Sequence, residues 1–394
     1  MSLEVLISTA NVEGASDLHL EPGLPAAVRV RGDLRTLGEP LPAANLLSFA
    51  KDLLGQDDWP RFLERRSFDC SRSINGVRCR INVLQSARGV GFSIRILSSF
   101  QATLEKLNLH PGLGKLVSHP HGFILVSGPT GSGKTSTLAA FIEEINASEA
   151  RHVITLESPI EYTFRARAAY IRQREVGRDT PSFEQGLLDA LREDPDVLMV
   201  GEMREPETMR LTLNAAETGH LVLATVHSSS CAEALQRVVS AFPAESQNAV
   251  RAQLADCLLA VICQRLRYRP DLKIRVPECE ILTSTAAIRA FVRNGDFFKI
   301  AAQIEMGAEH GMWTFQRYQT WLEGKKTWHF PGPEPNEPPA EPEERAELSS
   351  PSPSGKKSSA TPPARKRSPS REGGAIEIEP VEGGMDEVLK KLKD

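Results

Sequence analysis

One segment constrains the fold of this chain more than any other: Gly128-Pro129-Thr130-Gly131-Ser132-Gly133-Lys134-Thr135. It is a complete G-x-x-x-x-G-K-[ST] motif, in which the glycines let backbone N–H groups approach phosphate oxygens. A helix that begins where the loop ends adds the positive end of its dipole. The motif therefore predicts an ATP site, with Lys134 at the β- and γ-phosphates and Thr135 as a ligand of Mg²⁺.

Short apolar runs alternate with helical patterns around this motif. Each of four runs is too short for a buried helix, and they predict strands at Gly122–Ser127, His152–Leu156, Val197–Val200 and Leu221–Thr225. Helical periodicity marks Lys134–Ile145, Ser182–Leu191 and most of residues 280–325. The alternation predicts an α/β fold with a parallel, doubly wound sheet.

Acidic and imidazole side chains follow three of the predicted strands. Glu202 ends a run shaped like a Walker B strand, and an acid there can hold metal-bound water. Glu161 is a candidate to orient the attacking water, and His227 to contact the γ-phosphate. Ligands of open α/β sheets bind at the carboxyl ends of the strands, which favours these roles. Taken alone, Glu157 and Glu161 are also consistent with surface charges, and His220 with a structural histidine.

Hydrolysis of a phosphoanhydride often needs a cation at the γ-phosphate. Eight arginines are candidates, four in or beside the motifs and four nearer the N-terminus: Arg174, Arg178, Arg204 and Arg237, and Arg78, Arg80, Arg88 and Arg95. Most arginines are ordinary surface groups, so the sequence does not identify the one that acts on the phosphate.

The chain divides into four predicted segments. Residues 1–97 have the pattern of a small α+β domain, with a hairpin at Ala27–Leu34, a helix at Ala43–Leu54 and strands at Val77–Leu84 and Gly91–Ile96. Residues 98–106 are a plausible linker, and 107–330 form the predicted ATPase domain. Residues 331–394 hold 12 of the 27 prolines and no aromatic residue, which predicts a disordered tail.

Composition excludes several classes of protein. The formal net charge is −4, which argues against a bulk-basic nucleic-acid binder. The six cysteines form no C-x-x-C pair, so a zinc ribbon is not supported and reduced thiols are expected. No apolar run approaches the roughly 18 residues that span a bilayer, and the N-terminus has no basic region of a signal peptide.

The order of these motifs resembles the secretion ATPases of type IV pili and type II secretion. The matching segments are the Walker A motif, ESPIEY, QREVGRDT, LREDPDVLMVGEMREPET and AAETGHLVLATVHSSS. Within the family the chain looks most like the twitching-motility retraction ATPases, because Ala287–Asn294 resembles their AIRNLIRE motif. The resemblance covers about residues 1–325 and implies a RecA-like P-loop ATPase domain preceded by a PAS-like domain.

The resemblance also implies a mechanism and partners. Family members are cytoplasmic homohexamers at the inner face of the cytoplasmic membrane, with ATP between the N-terminal domain of one subunit and the ATPase domain of the next. They act on the inner-membrane platform protein of the pilus, and hydrolysis drives pilus retraction. Residues here that match functional positions of the family are Lys134, Thr135, Glu161, Arg178, Glu202, His220, His227 and Arg237.

Ser158 keeps a second interpretation open. The family motif normally reads EDPIE, and serine here replaces a charged aspartate. The chain is thus also consistent with an accessory subunit that binds ATP, hydrolyses it poorly and modulates a paralogous pilus ATPase. A P-loop motor that translocates nucleic acid is a further alternative, although no nucleic-acid partner is expected from the acidic balance. The four-cysteine zinc element usual in extension and type II ATPases is missing, which favours retraction.

Overall fold

The computed structural model describes residues 2–30, 33–97 and 102–330. The predicted tail, residues 331–394, lies outside this part of the chain, and so does most of the first half of the predicted linker. None of the described helices is long and apolar enough to cross a membrane.

The N-terminal part contains an antiparallel sheet of six strands and two helices. Its elements are α1 (Leu3–Val12), β1 (Ala15–Leu20), β2 (Ala26–Val30), β3 (Asp33–Leu37), α2 (Ala43–Arg65), β4 (Ser67–Ile74), β5 (Val77–Ser86) and β6 (Gly89–Ile96). The strand order is β3-β2-β1-β6-β5-β4. Alternate side chains of these strands pack against α1 and α2 in one apolar core.

The predictions for this part are confirmed with modest differences. The hairpin is β2–β3, and β6 begins at Gly89, two residues before the predicted strand. The helix predicted at Ala43–Leu54 is the first section of α2, because Gly55 adopts a non-helical φ of 63° and interrupts it. Strands β1 and β4 were not predicted.

Residues 102–330 are built on a seven-stranded sheet. The elements are β7 (Gly122–Ser127), α3 (Lys134–Ser148), β8 (His152–Glu157), β9 (Tyr170–Glu175), α4 (Phe183–Ala190), β10 (Val197–Val200), α5 (Pro206–Glu217), β11 (Leu221–Val226), α6 (Cys231–Ser240), α7 (Ala244–Cys257), β12 (Leu258–Arg269), β13 (Ile274–Thr283), α8 (Ala286–Asn294), α9 (Ile300–Met306) and α10 (Phe315–Gly324). Short 3-10 helices occupy Pro111–Leu116, Phe297–Lys299 and Ala308–His310.

The sheet has the order β13-β12-β7-β11-β10-β8-β9, and every pairing is parallel except that of β12 with β13. The α/β fold with a P-loop is thereby confirmed. The purely parallel sheet is corrected to a mixed one, because β13 folds back on β12 as a hairpin. Strands β9 and β12 were not predicted, and β13 continues through Thr283 into the region whose pattern is mostly helical.

Helices cover both faces of this sheet, because β7 has apolar side chains on both of its faces. Phe123 and Leu125 point into one core with α4–α9, whereas Ile124 and Val126 point into the other with α3 and α10. All four side chains are fully buried, each contributing about 1.5–3 kcal/mol relative to exposure. Leu104, at the end of the predicted linker, is buried in the second core. The buried strand β7 therefore fixes the loop that follows it.

Candidate functional site: a nucleotide-binding loop

Residues 128–133 join β7 to α3 and require glycine at three positions. Gly128, Gly131 and Gly133 have φ values of 150°, 74° and 88°, a region that side chains with a Cβ rarely adopt. A Cβ at Gly128 would lie 2.2 Å from the carbonyl oxygen of Gln264 and 2.5 Å from the hydroxyl of Ser132. The loop therefore wraps closely only because these positions lack side chains.

The polar groups of the loop fit a triphosphate. The Lys134 ammonium is buried and donates to the carbonyl oxygens of Gly128 at 2.9 Å and Pro129 at 3.0 Å. The Ser132 hydroxyl is also buried, and it has no hydrogen-bond partner among the described residues. No side chain caps the N-terminus of α3. The loop thus presents uncompensated donors and a helix N-terminus, the arrangement that anions of phosphate type occupy.

Three of the predicted site residues are brought together by β10 and β11. Glu202 follows β10, and its Oε1 lies 2.9 Å from Nε2 of His227, which follows β11. Nδ1 of the same imidazole lies 3.4 Å from the Lys134 ammonium. The parallel register of Val200 with Ala224 places both strand ends at one edge of the sheet. His227 therefore bridges the P-loop lysine and the acid after β10.

Neighbouring charges and burial shift the pKa values of Lys134 and Glu202 in opposite directions. Burial lowers the pKa of Lys134, and the negative charges of Glu202 and Glu161 oppose that shift. For Glu202, burial raises the pKa, but the hydrogen bond and charge of Arg204, 2.8 Å away, and the contact with His227 outweigh it, so the net pKa is lowered. Glu202 is therefore an anion at neutral pH, as a ligand of metal-bound water has to be.

A buried glutamate ends β8, and a half-buried one lies in the segment that follows. Glu157 is 3% exposed, and it accepts hydrogen bonds from Thr155 at 2.7 Å and Gln173 at 3.1 Å. Burial raises its pKa to about 7, although these hydrogen bonds and the backbone N–H of Glu161 oppose the rise. Glu161 is half-buried. The hydroxyl of Tyr162 lies 2.7 Å from Ser136 in the first turn of α3, which ties the segment to the P-loop helix.

The other candidates lie elsewhere. His220 directly precedes β11, whereas His227 follows it, so the two histidines lie roughly 20 Å apart along the strand. Nδ1 of His220 lies 2.9 Å from the carbonyl oxygen of Ala215. Arg178 pairs with Asp179 at 2.6 Å, and Arg237 is exposed on α6. Arg174 pairs with Glu193 at 3.0 Å. Arg204, beside the motifs, contacts the proposed metal-supporting acid Glu202 within one chain.

Gln264 is a site residue that the sequence did not reveal. Its side-chain amide donates to the carbonyl of Ser132 at 2.7 Å, and its oxygen accepts from the Thr137 hydroxyl at 2.6 Å. It therefore fastens the P-loop to β12. The apolar run that precedes it in β12 was the available signal, but the run follows α7 without a break.

The described residues contain no group of three His, Cys, Asp or Glu side chains placed to hold a metal ion. A Mg²⁺ ion that takes only one or two protein oxygens, with phosphates and water supplying the rest, needs no such group. The half-buried Thr135 hydroxyl and the Glu202 carboxylate are hard oxygen donors of this kind. The donor set therefore fits ATP with Mg²⁺.

The mixed, mainly parallel sheet, the P-loop after β7 and the acid after β10 define a P-loop ATPase of the RecA-like class. Residues 2–295 match the family model described as type II/IV secretion system protein. The chain belongs to this family, which confirms the resemblance seen in its motifs.

Relatives within the family share most of the chain. It is 40% identical to the type IV pilus retraction ATPase PilT of Pseudomonas aeruginosa, over 80% of this chain and 92% of that protein. It is 38% identical to a twitching motility protein of Neisseria gonorrhoeae, over 74% and 78%. It is 33% identical to the type IV pilus ATPase PilU of Pseudomonas aeruginosa, over 83% of this chain and 87% of that protein.

Solved structures show the same fold. The crystal structure of the pilus retraction motor PilT with bound ADP superposes with a TM-score of 0.73 at 35% identity, covering 81% of this chain and 96% of the other. The ATPase DotB of Legionella pneumophila superposes with a TM-score of 0.67 at 26% identity, covering 82% and 95%.

Proposed function

We propose that this chain is an ATP-hydrolysing motor that powers type IV pilus retraction. The observation that carries the proposal is the contact series Lys134–His227–Glu202 at the mouth of the P-loop. An ammonium, an imidazole and a carboxylate in mutual contact beside the P-loop support their assignment to the γ-phosphate and its metal ion. The retraction ATPase and the twitching motility protein, at 40% and 38% identity, support the retraction role.

The P-loop binds the phosphates of ATP in this proposal. Backbone N–H groups of residues 130–133 and of the first turn of α3 face the phosphate oxygens, and the Lys134 ammonium exchanges its two loop carbonyls for the β- and γ-phosphates. Thr135 and Glu202 would hold Mg²⁺, and the ion would supply charge neutralisation at the phosphates. Ser132 gains a partner for its buried hydroxyl.

Two residues are assigned to the attacking water and the leaving phosphate. Glu161 orients or deprotonates the water, because it lies near enough to Lys134 for its charge to act on the ammonium. His227 contacts the γ-phosphate and reports its loss to Glu202 through the 2.9 Å contact. Arg178 and Arg237 complete the site or the contacts between subunits, and the exposure of Arg237 on α6 supports the second role.

The assembly and its location follow the family. We propose a homohexamer at the inner face of the cytoplasmic membrane, in which ATP lies between the N-terminal domain of one subunit and the ATPase domain of the next. Residues 1–97 and 107–330 would form these domains, joined by 98–106. The motor acts on the inner-membrane platform protein, alone or together with a paralogous pilus ATPase.

A second candidate function rests on Ser158. This residue is exposed in the segment between Glu157 and Glu161, where the family has an aspartate. The loss of that charge favours a weakly hydrolysing accessory subunit. The chain is also 33% identical to the type IV pilus ATPase PilU, so its relatives include more than one kind of pilus ATPase.

The steady-state ATPase rate of the full chain separates the two functions. Glu202→Gln is the matched blank, because it keeps the size of the side chain and removes the charge. Turnover clearly above the blank supports a working motor. Turnover at the level of the blank, with ATP still bound in a fluorescence titration, assigns the chain to the accessory class. No ATP binding by either protein refutes both.

A further inference from the structure

Glu175, at the end of β9, is a buried carboxylate that the proposed mechanism does not use. Its side chain is 7% exposed, and Oε2 accepts a hydrogen bond from the backbone N–H of Ile160 at 3.3 Å. Ile160 immediately precedes Glu161, and it lies in the segment after β8. Pairing of β8 with β9 sets Glu157 beside Glu175. Glu175 therefore holds the segment that carries the proposed catalytic glutamate.

The same carboxylate contacts the N-terminal sheet. The Arg78 guanidinium, on β5, donates to Oε2 of Glu175 at 3.3 Å and is 13% exposed at its side chain. Burial raises the pKa of the Cys70 thiol on β4 to about 11, and the Glu175 charge adds to that rise after an opposing effect of Arg72. Two strands of the N-terminal sheet thus lie close to this single carboxylate.

Two further contacts fix Glu175 from its own side. Arg178 lies 3.4 Å from Oε2, and the backbone N–H of Glu175 donates to Asp179 at 2.9 Å. Three groups contact Oε2 of Glu175: two guanidinium ions and one backbone N–H. Each of them carries a positive charge or can donate a hydrogen bond. A buried carboxylate held in this way keeps its place only while its cationic partners stay, since an uncompensated charge in the interior is costly.

We propose that Glu175 is a positioning residue for Glu161, and that Arg78 couples the location of the N-terminal sheet to the catalytic segment of the same subunit. The proposal rests on the proposed function, because it uses the role of Glu161. When Arg78 is in place, Glu175 accepts from Ile160 and the segment is held. When the N-terminal sheet moves away, Glu175 loses one of its two cations and the segment is released.

This role separates Arg78 from the other arginines of the N-terminal strands. Arg95 pairs with Asp17 within its own sheet and is 62% exposed, and Arg80 lies 4.0 Å from Asp69, also within that sheet. Among the described residues, both of these ion pairs stay within the N-terminal sheet. Arg78 therefore provides a contact between the N-terminal sheet and Glu175 within one subunit.

Enzyme kinetics of four variants test the coupling. Arg78→Gln and Glu175→Gln should each lower kcat about tenfold and leave the Kd for ATP within twofold. The double variant should also lose about tenfold rather than a hundredfold, because both changes break one contact. Arg78→Lys, which keeps the charge, should retain more than a third of kcat. A purely structural role would instead lower the fraction of active protein and the Tm, with an unchanged kcat per active site.

Glu193→Gln is the matched control. Glu193 also pairs with two arginines, Arg172 and Arg174, but it has no contact with the segment after β8 among the described residues. This variant should keep kcat within twofold. A hundredfold loss in the double variant, or equal losses in the control, would overturn the proposal.

Hydrogen exchange gives a readout that does not depend on activity. The amide of Ile160 should exchange about tenfold faster in Arg78→Gln and in Glu175→Gln than in wild type or Glu193→Gln. Unchanged exchange in Arg78→Gln refutes the coupling. Failure of the proposed function is recognised separately: Lys134→Ala would then turn over ATP like wild type, and the exchange rates alone would decide the inference.

Discussion

Glu157 makes the stability of this protein depend on pH in an unusual direction. Its carboxyl is 3% exposed at the end of β8, and burial raises its pKa from 4.5 to about 7, against the opposing effects of its hydrogen bonds. In the unfolded chain the same group titrates at its ordinary value. Between these two pH values the folded protein binds more protons than the unfolded chain, so the free energy of unfolding falls as the pH rises.

The magnitude follows from the difference between the two pKa values. At 1.36 kcal/mol for each pKa unit, the protonated carboxyl contributes about 3 kcal/mol, present in full below about pH 4.5 and lost as the pH passes about 7. Glu157→Gln keeps the shape and the hydrogen-bonding capacity of the neutral acid but does not titrate. The variant should therefore gain about 3 kcal/mol relative to wild type between pH 5 and pH 8.

Urea unfolding of both proteins at several pH values measures this difference. Thr155→Val provides a directional control, because the Thr155 hydroxyl donates to Glu157 at 2.7 Å and opposes the rise in pKa. Its removal should extend the loss of stability to higher pH. A constant difference between wild type and Glu157→Gln from pH 5 to pH 8 would show that Glu157 is ionised throughout, and the argument from burial would fail.

Three further predictions concern the P-loop and the tail. Lys134→Ala should abolish nucleotide binding, because the ammonium at the loop is lost, whereas Glu202→Gln should keep the Kd for ATP and lower kcat by about 100-fold or more; equal loss of binding in both would contradict the assigned roles. Gly128→Ala should weaken ATP binding about 100-fold in a fluorescence titration, since a Cβ 2.2 Å from the Gln264 carbonyl displaces the loop at a cost of about 3 kcal/mol; wild-type affinity would refute the steric argument. Deletion of residues 331–394 should leave the ATPase rate unchanged, because every residue assigned to the site or to its positioning lies between 78 and 264, and a large drop would show that the tail acts on the ATPase site.

The parts of the fold that the sequence predicts are those with local signals. Strands β7, β8, β10 and β11 are short apolar runs, and each is buried on both faces. The P-loop carries its own glycines, and Ser182 marks the start of α4 by accepting from the N–H of Gln185. Since these signals lie within a few residues of the structures they encode, periodicity and capping were enough.

The strands that were missed lack such signals. Strand β9 is polar on both faces, with Tyr170 exposed, because it lies at the edge of the sheet. Strand β12 follows α7 directly, from Cys257 to Leu258, with no glycine or proline between them. Its second half alternates arginine with Leu266 and Tyr268, and these side chains are exposed. Pairing with β7 and β13, rather than local preference, makes this segment a strand.

Contacts between distant residues decide the remaining features of the site. The segment after β8 is fixed at three points: Glu157 and Glu175 accept from the N–H groups of Glu161 and Ile160, and Tyr162 meets Ser136. None of these contacts involves Ser158, whose side chain is exposed. The position of Glu161 is therefore set without the aspartate that the family carries at this place, and the serine changes the charge near the site while the three anchors of the segment remain.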